Sequence, residues 1–390
     1  MNTSEILTEL KRRNISWKKG LDPKTSFSSH LIRCDDLNGA PAYFIGGEVT
    51  PEKRITSVID ALYLEAAYQN EEQSGSFQLM YGKGEEHKFV LQALSNLRND
   101  LDTKLPFTLL TDFEPAHDIN ACDFSQKPKN WHTDYLKRLI AGQTPVPVLA
   151  QINTLVDSPL LTWAPSSSDA QVWAGRIDGV QVCTIDDTGS GQLHVSAEPR
   201  AERIVIDLLE EHSHLKNGQS FDSNQFEDLK KSLQLIIDSR RSGRLQECSL
   251  HDRVRFRVHR GKSKLGSFQV VCSDFPVKWS ADDQEERFTD LIMRDQDTPI
   301  LVQIEVSTGG RIQDSFRHAV VKAALGRNFI RKASFLHPWF ETQGMNPEKC
   351  KAVVSFPKLT SARARSRFAN LEAIAALFDV AILPIRGSIA

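Results

Sequence analysis

Residues 287–307 read RFTDLIMRDQDTPILVQIEVS. Two short aliphatic runs, Arg287–Arg294 and Ile300–Ser307, flank the polar stretch Asp295-Gln296-Asp297-Thr298-Pro299. Runs of that length bounded by turn residues predict two consecutive strands. Each strand carries a carboxylate in its apolar part, Asp290 among Phe288, Leu291 and Ile292, and Glu305 among Ile304 and Val306. A carboxylate in such a setting is expensive unless something compensates it. If the strands pair as an antiparallel hairpin, both acids reach the same end of one face. Together with the backbone carbonyl of Val306 they form an oxygen set suited to Mg²⁺ or Mn²⁺.

Upstream of this hairpin, Arg253–His259 alternates basic and apolar residues and predicts a strand with Arg253, Arg255 and Arg257 on one face. Gly261–Gly266 predicts a turn and Ser267–Cys272 another strand. Downstream, Thr308-Gly309-Gly310 leads into a helix at Ile312–Leu325. A strand at Ala352–Phe356, a helix at Ala362–Phe378 and a strand at Val380–Ile385 follow. The predicted order is four strands, helix, strand, helix, strand.

An acid on one strand, a turn, an acid on the next strand, then a helix and further strands resembles the PD-(D/E)XK nuclease superfamily. The resemblance covers about residues 240–385, with Asp290 as the first acid and Glu305 opening the (D/E)-x-K tripeptide. It implies a mixed central sheet flanked by helices and a metal-dependent hydrolysis of phosphodiester bonds, with DNA as the expected substrate and Mg²⁺ or Mn²⁺ held by Asp290 and Glu305. Ser307 stands where the motif has lysine. The resemblance then leaves Ser307 to help place water and turns to the following helix for a cation, with Lys322 or Arg317 as candidates. Arg253, Arg255, Arg257 and Arg317 are the expected phosphate contacts, since rows of arginine neutralise backbone charge. A restriction or defence effector is the implied context, and a homodimer would supply two sites for two strands. The alternative is a fold that lost catalysis with its lysine and binds nucleic acid or a protein.

The remainder of the chain alternates helical and strand-like stretches, so the fold class is α/β (mixed α+β). Strands are predicted at His30–Cys34, Ala42–Ile45, Phe77–Tyr81 and Phe107–Leu110, with helices at Arg54–Gln69 and Glu85–Leu101. A hairpin turns at Asp178-Gly179, and helices follow at Arg200–Glu211 and Asn224–Arg241. The polar stretch Leu215–Ser223 reads as a linker, dividing the chain into a domain of unknown role over residues 1–220 and a nuclease-like domain over 221–390. No internal repeat stands out.

Net charge is −2, but it is unevenly spread. From Arg240 onward 25 Lys/Arg face 16 Asp/Glu, leaving 23 basic and 34 acidic residues before it. That asymmetry points the C-terminal part toward a polyanion and leaves the acidic part for a protein partner. No apolar run approaches the roughly 20 residues of a membrane span, and the N-terminus lacks a secretory pattern, so a cytoplasmic protein is expected. Six scattered cysteines without a CxxC pair argue for reduced thiols. His117-Asp118 with Cys122-Asp123, His212-Ser213-His214 and Gly82-Lys83-Gly84 are weak metal or phosphate motifs, each more simply explained by local structure.

Overall fold

The computed structural model describes residues 3–19, 31–37, 40–45, 50–68, 77–81, 88–100, 107–111, 114–115, 146–166, 171–196, 199–242, 264–281, 287–306, 312–357 and 375–386. Positions 124–125, 127–128, 131, 136, 254–255, 257–258, 283, 285 and 372 are also described. The chain divides into two units, one of residues 1–129 with 265–385 and one of residues 130–264 with 386–390. The boundary expected at 220/221 is therefore wrong, for reasons visible in the middle of the chain.

The chain opens with α1 (Thr3–Arg12), β1 (Trp17–Lys19), β2 (Leu31–Leu37) and β3 (Ala40–Ile45). Then come α2 (Pro51–Tyr68), β4 (Phe77–Tyr81), α3 (Lys88–Asp100), β5 (Phe107–Thr111) and β6 (Glu114–Pro115). The strands form one sheet in sequence order. β1, β2 and β3 pair antiparallel, whereas β4 runs parallel to β3 and β5 parallel to β4. Helices α2 and α3 are the crossovers that parallel pairing requires. Ile55, Val58 and Ile59 of α2 and Val90, Leu94 and Leu97 of α3 recur at helical spacing and are buried.

The middle unit contains α4 (Pro147–Val156), β7 (Leu161–Pro165), β8 (Val172–Ile177), β9 (Val180–Asp186) and β10 (Gly191–Ser196). It continues with α5 (Pro199–His212), β11 (Ser220–Phe221) and α6 (Phe226–Arg241). Its antiparallel sheet runs β11-β10-β9-β8-β7. The β8–β9 hairpin turns where expected, with Asp178 and Gly179 both at positive φ, 49° and 92°, the pair a tight hairpin turn needs. Asp178 is buried and accepts a hydrogen bond from Arg240 of α6. The stretch read as a linker belongs to this sheet instead. Phe221 pairs with Gly191, the Gly218 N–H donates to the Leu193 carbonyl at 2.6 Å, and the Val195 N–H donates to Asn217 Oδ1 at 3.0 Å. Its polar residues finish a sheet edge, and Phe221, Phe226, Leu229 and Leu233 join one hydrophobic core with Leu193 and Val195.

The last section holds β12 (Gln269–Val277), β13 (Arg287–Asp295), β14 (Thr298–Ile304), α7 (Ile312–Lys332), α8 (His337–Thr342), β15 (Lys351–Pro357) and β16 (Val380–Ile385). The sheet runs β12-β13-β14-β15-β16, the first three strands antiparallel and the last two parallel to β14. This is the mixed α/β sheet expected of the region. Of the helix expected at 362–378, only residues 372 and 375–378 are described; 372 and 375–377 are helical and Phe378 is in a turn. α7 is buried on nearly all sides, with Phe316, Val320, Val321, Ala324, Phe329 and Ile330 at 1% exposure or less. Such a helix needs neighbours all round, and α2 and α3 supply them. Arg317 of α7 donates to Asp60 of α2, and Asn328 Nδ2 donates to the Asn96 carbonyl of α3 at 3.1 Å.

Two expectations need correcting here. The strand expected at 253–259 is contradicted at its described residues, since Val254, Arg255, Arg257 and Val258 have helical backbone; Arg253, Phe256 and His259 lie outside the described residues. Val254 and Val258 are four apart and both buried, the helical spacing that outweighs the period-2 alternation. A repeat does exist at the level of topology. The sheets β1–β5 and β12–β16 share strand order and strand sense, three antiparallel strands followed by two parallel ones.

Among the described residues no helix is long and apolar enough to cross a membrane. Gly326 brings α7 onto β14, since a Cβ there would lie 2.7 Å from Leu301 Cδ1. Gly326→Val is expected to cost about 1–3 kcal/mol through overpacking, measured by urea denaturation. Wild-type stability in that variant would contradict the close approach.

Candidate active site

The backbone register between β13 and β14 runs from Asp295↔Thr298 to Leu291↔Val302. Beyond it the side chains of β13 take over. Thr289 Oγ1 donates to the Val302 carbonyl at 2.9 Å, and the Ile304 N–H donates to Asp290 Oδ2 at 2.7 Å. The Asp290 carboxylate is buried, at 9% exposure, and this charge-assisted bond offsets part of the cost of its burial. The bond also brings it to the amide that immediately precedes Glu305. Glu305 follows the last residue of β14, and its own N–H donates to the Ser355 carbonyl at 2.7 Å. Its side chain is half-buried and Oε1 accepts the Val306 N–H at 3.1 Å. Asp290 thus bonds the end of β14 and Glu305 follows that end directly in the chain.

Gln303 adds a group that the sequence reading passed over. It is 4% exposed, and its Nε2 has no hydrogen-bond partner among the described residues. An unpaired buried amide donor costs about 1–3 kcal/mol. The signal was present in the sequence, an amide in the middle of Ile300–Ile304.

Lys322 lies on α7, which must run back along β14 to feed the parallel strand β15. Gly326 sits on Leu301, so Lys322, one turn nearer the start of the helix, falls at the level of Gln303 and the acids. It is half-buried. His318, one turn earlier again, packs edge-on to Trp279 with centroids 6.1 Å apart. Burial, then the neighbouring Lys322 charge, holds its pKa at about 4, below the ordinary 6.5. Beside them the Arg287 guanidinium lies 4.1 Å over the Trp279 ring and bonds Asp283 at 2.7 Å and Glu52 at 2.9 Å.

The remaining site residues fare differently. Arg317 is 8% exposed and bound to Asp60, so it is a structural cation and not a phosphate clamp. Ser307 and Arg253 lie outside the described residues. Arg255 and Arg257 are half-buried in helical backbone and belong to the middle unit, not to the unit of the acids. Arg255 and Arg257 therefore do not share a strand face. His117, Asp118, Cys122, Asp123 and the Gly82-Lys83-Gly84 segment also lie outside the described residues. His212 makes an exposed contact with Glu211 at 3.4 Å. Cys34, Cys183, Cys272 and Cys350 are buried, and burial pushes the thiol of Cys183 up to about 12.

No protein family, curated protein or solved structure matches the chain.

Two outcomes follow from this geometry. Between about pH 6.5 and 4 the unfolded chain binds a proton at His318 that the folded chain refuses. The stability is present above that window and falls as pH drops through it. His318→Gln is expected to flatten that part of a pH series of urea midpoints, and an unchanged slope contradicts the assignment. Gln303→Met removes an unpaired donor at similar volume, so it should cost less than about 1 kcal/mol or stabilise the fold. A larger loss in chemical denaturation would show that Nε2 is already bonded.

Proposed function

We propose that the unit of residues 1–129 and 265–385 is a PD-(D/E)XK-like, metal-dependent nuclease core that hydrolyses phosphodiester bonds in DNA. The observation that supports this is the Ile304 N–H bond to Asp290, which ties the first acid to the residue preceding the second. The strand order around them, with a helix between β14 and the parallel strand β15, is the order that the resemblance requires.

Among the described residues no group of three or more His, Cys, Asp and Glu is placed to hold an ion. The donors at this strand end are instead two carboxylates with backbone carbonyls at hand, a hard-oxygen set that suits Mg²⁺ or Mn²⁺ and leaves coordination positions for water and phosphate. Asp290 and Glu305 would hold the ion. When bound it lowers the pKa of water and stabilises charge developing on phosphate. The chain's own groups do the rest. Lys322 supplies the cation that Ser307 cannot, from the helix rather than the strand. Gln303 Nε2, buried and unpaired, is a donor for a phosphate oxygen or for the attacking water. Desolvation keeps His318 neutral at pH 7, so it adds no positive charge there.

Glu305→Gln is expected to abolish cleavage of plasmid DNA in Mn²⁺ while leaving salt-dependent binding in place. Lys322→Met should slow cleavage by about 10²-fold, the scale for losing one group that stabilises a transition state. Equal activity in wild type and Glu305→Gln would sink the reading. Binding without cleavage in wild type would favour the inactive, nucleic-acid-binding alternative.

A further inference from the structure

We infer that residues 1–115 and 265–385 are two copies of one module paired within a single chain, and that only the second keeps the acid pair, so the chain cuts a duplex one strand at a time. The strand-cutting part rests on the nuclease reading above; the pairing does not.

The two sheets share strand order and sense, and one facing pair in each hairpin aligns them with matching sequence. Leu31 lies opposite Ile45 in the first hairpin, as Leu291 lies opposite Val302 in the second. On that equivalence Leu31-Ile32 matches Leu291-Ile292. Glu48-Val49-Thr50 matches Glu305-Val306-Ser307, Arg54-Ile55 matches Arg311-Ile312, and Ala66-Ala67 matches Ala323-Ala324. From the second hairpin strand through the helix that follows it the offset is 257 residues, the separation of Asp60 and Arg317. These two residues are therefore equivalent positions of α2 and α7, and they bond each other. Contact between equivalent positions is the mark of a self-complementary, two-fold interface. Here the interface joins two halves of one chain, with both partners buried.

The copies have diverged where the chemistry lies. His30 precedes Leu31 where Asp290 precedes Leu291. Residues 30 and 46–49 lie outside the described residues, so the comparison there is one of sequence. An imidazole is a poor substitute for a carboxylate toward Mg²⁺, which takes oxygen ligands. Glu48 thus has no acidic counterpart to Asp290, and each chain carries one complete pair. The second copy that a two-strand cutter would recruit as a homodimer is already present, with its first acid replaced.

The test uses the full chain on supercoiled plasmid in Mn²⁺, with a parallel series of melting temperatures. Wild type and Glu48→Gln are expected to produce nicked circles at rates within about two-fold of each other, and Glu305→Gln to leave the plasmid intact. Linear product formed in a single encounter, or loss of cutting with Glu48→Gln, overturns the single-site assignment. No cutting by wild type overturns the nuclease reading, and with it strand-by-strand cutting, while melting decides the pairing. Asp60→Arg and Arg317→Asp should each lower the melting temperature, and the double exchange should recover at least about half of the loss. A double variant no more stable than the worse single one overturns the pairing.

Discussion

The bond from the Ile304 N–H to the Asp290 carboxylate is the interaction on which the functional account depends. It stands where the register between β13 and β14 ends, and it satisfies a buried backbone donor that would otherwise be costly. The arrangement links fold to chemistry in one step. Strands that part at their ends need side chains to finish the hydrogen bonding, and a carboxylate that does so is held rigidly beside the next strand. Glu305 then needs only to follow Ile304 in the chain to share the site.

A second constraint acts on α7. Its described residues are buried nearly all round, and the helices of the first sheet cover it. Burying Arg317 there requires a partner, because an unpaired buried cation costs several kcal/mol. Asp60 meets that requirement from the equivalent place on α2. The polar residues of α7 are thus divided by position. Arg317 and Asn328 bond the helices of the first copy, while Lys322 sits toward the strand end that carries the acids.

Much of this was legible locally. The hairpin at residues 287–307, the helix after it and the strands at 352–356 and 380–385 follow from short apolar runs and turn residues. Asp290 and Glu305 stand out in the sequence because a carboxylate amid aliphatic neighbours demands compensation. The failures share a different cause. Residues 253–259 carry two periods at once, and the buried pair Val254 and Val258 decides for helix. Residues 215–223 look like a linker because they are polar, yet their polarity serves the edge of β10. Arg317 is as basic as any phosphate ligand, and only a residue 257 positions away removes it from that role. The halves of the first unit are separated by an entire second unit, which hid the domain boundary, and the repeat survives as topology with a few matching dipeptides and tripeptides.

The most direct measurement of the central claim is Mn²⁺ binding to the full chain, by calorimetry with electron paramagnetic resonance as a check, in wild type, Asp290→Asn and Glu305→Gln. One ion per wild-type chain, lost in both variants while their melting temperatures show a folded protein, is the predicted result. No binding in wild type, or binding unchanged by either substitution, would contradict a metal site at this strand end.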